Sequence, residues 1–239
     1  LMSINVVDKI DGLVKVRHVL ISVSDKSGLA TFIPRLMEIS PAIKIFSTGG
    51  THSRLKEILG AAAENHLGQV AEYTGQPETQ GGLVKTLDFK IYLGLLTETY
   101  NDAHHDDLAR TQSVPIDMAV VNLYPFKETI AKEGVTAEQA RGNIDIGGPA
   151  MIRASAKNHG FVTVLTDPAD YEEVVCQLSE NANSTDLALR KRLAHKAFAR
   201  TAAYDAATVQ SSPEPPAIPS PSPSAAAVAV SRLRMQFGP

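Results

Sequence analysis

The sequence predicts an α/β fold: a parallel sheet flanked by helices, followed by a helical C-terminal part. Three observations carry that expectation. Short β-rich runs recur, HVLISVS at 18–24, KIFST at 44–48, QVAEY at 69–73, MAVVNLY at 118–124 and FVTVL at 161–165. Amphipathic stretches such as 28–38 and 50–59 separate them, the spacing of strands buried on both faces by crossover helices. After Asp145 the pattern becomes helix upon helix, at 148–159, 168–180 and 185–206. The last of these alternates charges and has few large apolar side chains for its length, so it lies along the domain or against a second subunit.

The folded unit is expected to span 15–206. Six of the 14 prolines fall between Pro213 and Pro223 among serine and alanine, so 207–239 reads as a flexible tail. Lysine plus arginine (23) against aspartate plus glutamate (26) leaves a net charge of −3, with no basic field to hold a nucleic acid or an anionic membrane. The apolar run 225–230 is far shorter than a membrane span, and the first fifteen residues are too charged for a secretory signal, so a cytoplasmic protein is expected. Cys176 is the only cysteine, which excludes an intramolecular disulfide and a cysteine-based zinc site. His104, His105, Asp106 and Asp107 are consecutive, which suits a solvated helix start better than tetrahedral chelation, and no metal is expected.

An anionic ligand would then need a local cluster, and the loops after the strands provide candidates. VSDKSGL (23–29) puts Ser24, Asp25 and Lys26 at the C-terminal edge of the sheet, with Asp25 and Ser27 as plausible helix caps. STGGT (47–51) opens a second helix, where Gly49 and Gly50 let amides approach an anion and Thr48 and Thr51 add hydroxyls. Lys85 and Thr86, after Val84, lie in a polar break in which the lysine either snorkels to solvent or meets an anion. Asn122, behind Val121 and two residues before Tyr124, would leave an amide unpaired unless something polar faces it. In NIDIGGPAMIRASAKNHG (143–160), Asp145 and Ile146 precede Gly147 and Gly148 at a helix start, and Arg153 and Lys157 share one helix face.

Taken in order, VSDKSGL, STGGT, YTGQPE, GGLVKT, VNLYPF, NIDIGG, RASAKNH, DPADY and KAFARTAAYD resemble the IMP cyclohydrolase family from about 17 to 205. The resemblance implies a methylglyoxal-synthase-like α/β domain working as a homodimer, and dehydrative closure of 5-formamidoimidazole-4-carboxamide ribotide to inosine monophosphate. It implies no cofactor, a purine nucleotide substrate, and a stand-alone form with a separate formyltransferase supplying that substrate. By resemblance, Ser24, Asp25, Lys26, Thr48, Gly49, Gly50 and Thr51 bind chiefly phosphate, and Val84, Lys85 and Thr86 continue that site. Val121 and Asn122 approach the base, while Asp145, Ile146, Gly147 and Gly148 line the site. Lys157 carries the proton, Lys85 stabilises developing charge and Tyr124 assists by hydrogen bonding. The chain departs from the family pattern at Leu83, Asp88, Phe89 and Tyr92; Leu83 lacks a bidentate phosphate donor, and Asp88 near the pocket would repel an anion. Methylglyoxal synthase, a regulatory nucleotide-binding module and a scaffolding paralogue are the alternatives that share the anion loops.

Overall fold

The structure, a computed structural model, describes residues 7–76, 86–124, 126 and 134–211. Five parallel strands form its centre in the spatial order β4-β3-β2-β5-β6: β2 His18–Val23, β3 Lys44–Ser47, β4 Leu67–Gln69, β5 Met118–Asn122 and β6 Thr163–Leu165. Alternation along the strands divides the core between two faces. Val19, Ile21 and Val23 of β2, with Met118 and Val120 of β5, pack under α1 (Leu29–Ile39) and α9 (Tyr171–Glu180). Leu20, Ala119 and Val121 pack instead with α5 (Phe89–Leu96), α8 (Gly147–Lys157) and α10 (Leu187–Ser211).

The remaining described helices are α2 (Gly49–Leu59), α3 (Ala63–His66), α4 (Val70–Thr74), α6 (Asp102–Arg110) and α7 (Ala137–Gly142). A short antiparallel ribbon pairs β1 (Leu13–Lys15) with β7 (Ser184–Asp186). The expected α/β class holds, with two local corrections. The run 69–73 was read as a strand, but β4 ends at Gln69 and the chain turns into α4, where Thr74 Oγ1 donates to Val70 O (2.9 Å) and Gly75 closes the helix in the left-handed region. The last helix begins at Leu187 because 184–186 belong to β7, and it continues through Ser211, past the expected start of the tail.

Helix α10 lies along its own domain, against α8 and β6. Ala194 and Ala197 are its buried contacts there, and small side chains let the helix approach closely. Arg190, in the run of alternating charges, is fully buried. Its guanidinium donates to the carbonyls of His159, Thr185, Gly160 and Asp11, stitching α10 to the end of α8 and to the β1/β7 ribbon.

Candidate active site

The strand order reverses at β2, whose following segments run to β3 and β4 on one side before the chain returns to β5 on the other. A crevice therefore opens beyond the C-terminal ends of β2 and β5, where parallel sheets bind ligands. Asn122, the last residue of β5, sits on that seam. Its Oδ1 accepts from the amides of Ser24 (2.7 Å) and Asp25 (2.9 Å), and its Nδ2 donates to Asp25 O (2.8 Å). This answers what faces the asparagine: its amide is spent mainly on holding the first loop, with one N–H left over.

The second loop is tied to the same place. Thr51 is buried, and its hydroxyl donates to Val23 O (2.9 Å) and accepts from Val23 N (3.2 Å). Ser47 Oγ donates to Ile21 O (2.7 Å). These two hydroxyls lock β3 and α2 onto β2 and are not open donors. The open donors are the amides of Gly49, Gly50 and Thr51 at the head of α2, which have no intrahelical partner. Thr48 is the N-cap and makes no side-chain cap bond, so its hydroxyl stays available. Lys26 lies across this helix end: a Cβ at Gly50 would stand 4.0 Å from its Cε, and its Nζ donates to Ser24 O (3.3 Å). Asp25 and Ser27 do not cap α1, whose N-cap is Gly28 at φ +74°; Asp25 Oδ1 accepts from Ser27 N within the turn (2.9 Å).

The third component is the turn into α8. Asp145 Oδ1 accepts from Gly148 N (2.8 Å), and the Asp145 amide donates to the Tyr204 hydroxyl (2.7 Å), so α10 holds this turn. Burial raises the Asp145 carboxyl above its ordinary range, opposed by backbone hydrogen bonds from Gly148 and Tyr124. A Cβ at Gly148 would meet the Asp145 carboxylate and stand 2.7 Å from Leu123 Cδ2, and one at Gly147 would stand 2.5 Å from Thr86 Oγ1. Both positions need glycine because these neighbours leave no room. Ile146 and Tyr124 are exposed at this mouth, while Val121 is buried in the sheet and can offer only its backbone.

Not every expected residue converges here. Val84, Lys85 and Leu83 lie outside the described residues. Lys157 is exposed in the last turn of α8, ten residues after Gly147 and so about 15 Å along the helix axis, beyond the reach of its own side chain. Arg153 stacks its guanidinium over the exposed Phe198 ring (5.7 Å). Asp88 is turned inward as the N-cap of α5, accepting from Lys90 N (2.8 Å) and Gln76 Nε2 (2.7 Å). His104 to Asp107 form the start of α6 behind the N-cap Asn101.

Two features were not anticipated. A cavity of about 340 Å³ extends from Asn122 and Tyr124 toward Thr166, Asp167, Arg200 and Tyr204 at the end of β6, away from the STGGT loop. Asp167 in its wall pairs with Lys196 (3.0 Å) and Arg200 (3.1 Å). The other is Tyr92, whose buried hydroxyl has no partner among the described residues. The Tyr204 contact could have been suspected from KAFARTAAYD, where a tyrosine follows small residues, but no local pattern says that it reaches position 145.

A family model described as an MGS-like domain matches residues 28–150, more than half of the 239 residues. The chain belongs to the MGS-like domain family. A second model, the AICARFT/IMPCHase bienzyme, matches 155–237, so this MGS-like chain carries the bienzyme pattern where α8 ends and α9 and α10 follow. Among similar curated proteins is the bifunctional purine biosynthesis protein PurH of Magnetococcus marinus, 48% identical over 195 residues, covering 82% of this chain and 35% of the relative. The protein of the same name from Bacillus cereus is 49% identical over 190 residues, covering 80% and 36%. The chain thus spans about a third of the length of these relatives, and corresponds to their IMP cyclohydrolase part. The crystal structure of ForH superposes with a TM-score of 0.69 at 28% identity, over 82% of this chain and 98% of that one.

Proposed function

We propose that this MGS-like chain is an IMP cyclohydrolase of purine biosynthesis, closing 5-formamidoimidazole-4-carboxamide ribotide to inosine monophosphate with loss of water. The observation that carries the reading is the Asn122 seam: it joins the donor-rich loops after β2 and β3 to the strand that leads into the Asp145 turn, in a chain similar to PurH. The substrate holds nucleophile and electrophile on neighbouring ring atoms, so alignment supplies much of the rate. The α2 amides and Lys26 take the phosphate. Asp145 accepts a hydrogen bond from the carboxamide N–H as that nitrogen attacks the formyl carbon, and the Gly147 amide, the one first-turn N–H of α8 not already spent on Asp145 or Ile146, faces the developing oxyanion.

The proton carried to the departing water is assigned to Lys157, and its placement makes the quaternary structure part of the proposal. One subunit's Lys157 cannot reach its own Asp145 turn, so the working form is a homodimer in which the lysine comes from the other copy. The exposed Arg153, Lys157 and Phe198 lie on the α8 and α10 surface that would face the partner. The formylated substrate comes from a formyltransferase activity, and the cytoplasm is the expected location; no helix among the described residues is long and apolar enough to cross a membrane. Asp88 gives little support to a scaffolding role, because its carboxylate is engaged in capping α5. Mixing the protein with the formamido ribotide and following inosine monophosphate by absorbance tests the activity. Absence of product in dimeric, folded protein would overturn it.

A further inference from the structure

Buried hydroxyls are almost always hydrogen-bonded, so an orphan in a folded core requires a reason. Tyr92 stands one turn into α5, behind the N-cap Asp88, and its ring packs against the core that includes Met151 and Ile152 of α8. Its hydroxyl oxygen is buried and finds no donor or acceptor among the described residues. The neighbouring charge is Asp145, close enough to raise the phenol further above the value that burial already imposes, to about 12. At neutral pH the group is therefore a protonated donor. Asp145 is its complement: its carboxylate takes two backbone N–H groups, from Gly148 and Tyr124, and keeps acceptor capacity for more.

A donor and an acceptor near one another, both partly withdrawn from water, fit a group with one acceptor oxygen and one N–H, which is the pattern of a carboxamide or of the lactam edge of a 6-oxopurine. We propose that Tyr92 is a specificity-determining residue of this site, its hydroxyl donating to the carbonyl oxygen of the ligand's carboxamide or lactam while Asp145 accepts from the adjacent N–H. The inference rests on the reading of the site as one for a purine nucleotide, and adds to it the group that reads the oxygen. Among the described residues the hydroxyl has no partner, a local cost that ligand binding relieves.

Removing an orphaned hydroxyl from a fold should not weaken the fold, whereas removing a ligand contact should weaken binding. Tyr92→Phe keeps the ring and its packing. Thermal unfolding of the free protein should give a Tm equal to or above the parent's. Titration with inosine monophosphate and with purine riboside monophosphate, which lacks the 6-oxygen, should show the parent preferring the former. Tyr92→Phe should lose about 3- to 10-fold in affinity for inosine monophosphate, with the oxygen-free nucleotide unchanged. If the parent binds both nucleotides and Tyr92→Phe retains its preference, the assignment of Tyr92 falls while the nucleotide reading stands. A lower Tm with unchanged preference would likewise overturn it, by showing that the hydroxyl serves the fold through a bound water. If neither nucleotide binds the folded parent, the functional reading itself falls, and the role of Tyr92 with it.

Discussion

Asn122→Ala separates holding a loop from touching a ligand. The wild-type amide makes three hydrogen bonds, to Ser24 N (2.7 Å), Asp25 N (2.9 Å) and Asp25 O (2.8 Å). Each is worth about 0.5–1.5 kcal/mol net when made between neutral groups. The loop is part-exposed, so water recovers some of that loss on truncation, and a destabilisation of about 1–3 kcal/mol is expected in urea unfolding. The larger effect should be on anion binding. Without Asn122 the Ser24–Lys26 backbone is free to leave the end of α2, and the phosphate must order the loop itself. Nucleotide affinity should fall by about tenfold or more, and nucleoside affinity by much less. Asn122→Asp sharpens the test. Its carboxylate still accepts from both amides but cannot donate to Asp25 O, and it places a negative charge beside the anion loops. It should keep most of the stability and lose phosphate affinity at least as strongly as Asn122→Ala. Nucleotide affinity unchanged in Asn122→Ala would refute the idea that this seam preorganises the phosphate loops.

Gly148→Ala should cost about 1–3 kcal/mol in unfolding experiments and abolish turnover, since its methyl would stand 2.7 Å from Leu123 Cδ2 and against the Asp145 carboxylate. Lys157→Ala should keep nucleotide affinity while losing roughly 10²–10⁴-fold in rate. Mixing it with Asp145→Asn should restore part of the activity through hybrid dimers, and failure of mixed, exchanging dimers to recover would rule out a site shared between subunits. Desolvation lowers the His18 pKa below its ordinary 6.5 despite the opposing charge of Asp117. The unfolded chain therefore takes up that proton first, so stability should fall as pH drops through about 6.5 toward the folded-state value, and His18→Gln should flatten the slope measured by urea unfolding between pH 5 and 7.

Residues with a face to bury were readable in the sequence; residues whose role depends on distant chain were not. Val19, Ile21 and Val120 announce buried strands because both sheet faces are covered, and Gly49 and Gly50 announce a helix end. QVAEY misled because Val70 and Tyr73 have β-favouring side chains, yet the sheet ends at Gln69 and tertiary packing turns the segment into α4. FKIYLGLL, apolar but for Lys90, is assigned no element from the sequence, and the structure shows it as α5 packed in the second core, with Gly94 close against the backbone of Val114. β7, with the sequence STD, has no strand signature; Thr185 is buried there and shares a hydrogen bond with Thr163 (2.8 Å). Nothing local tells that Arg190, one of the alternating charges of 185–206, is buried, because the four carbonyls that converge on it come from three segments. At the site, the loops were visible from their glycines and hydroxyls. That Thr51 and Asn122 turn their polar groups onto the scaffold was not, because their partners lie 28 and nearly 100 residues away.

The same consideration ties the helical C-terminal part to the Asp145 turn. The MGS-like match ends at 150, just beyond the Asp145 turn, yet the acceptor for the Asp145 amide is Tyr204, on a helix in the part matched by the bienzyme model. Tyr204 is itself packed by Phe126 at 5.9 Å, directly downstream of Asn122 and Tyr124. Lys196 pairs with Asp167 and Asp170 at the loop after β6, clamping α10 to the same edge of the sheet. An MGS-like sheet can supply an anion loop by itself, since that needs only a strand end and a helix start. Fixing the direction of the turn that carries the half-buried Asp145 carboxyl, whose pKa burial raises, requires a partner for the amide at 145. Helix α10 takes up that amide through Tyr204, so on the proposed function the anion loops and the Asp145 turn should act together only while that helix is docked.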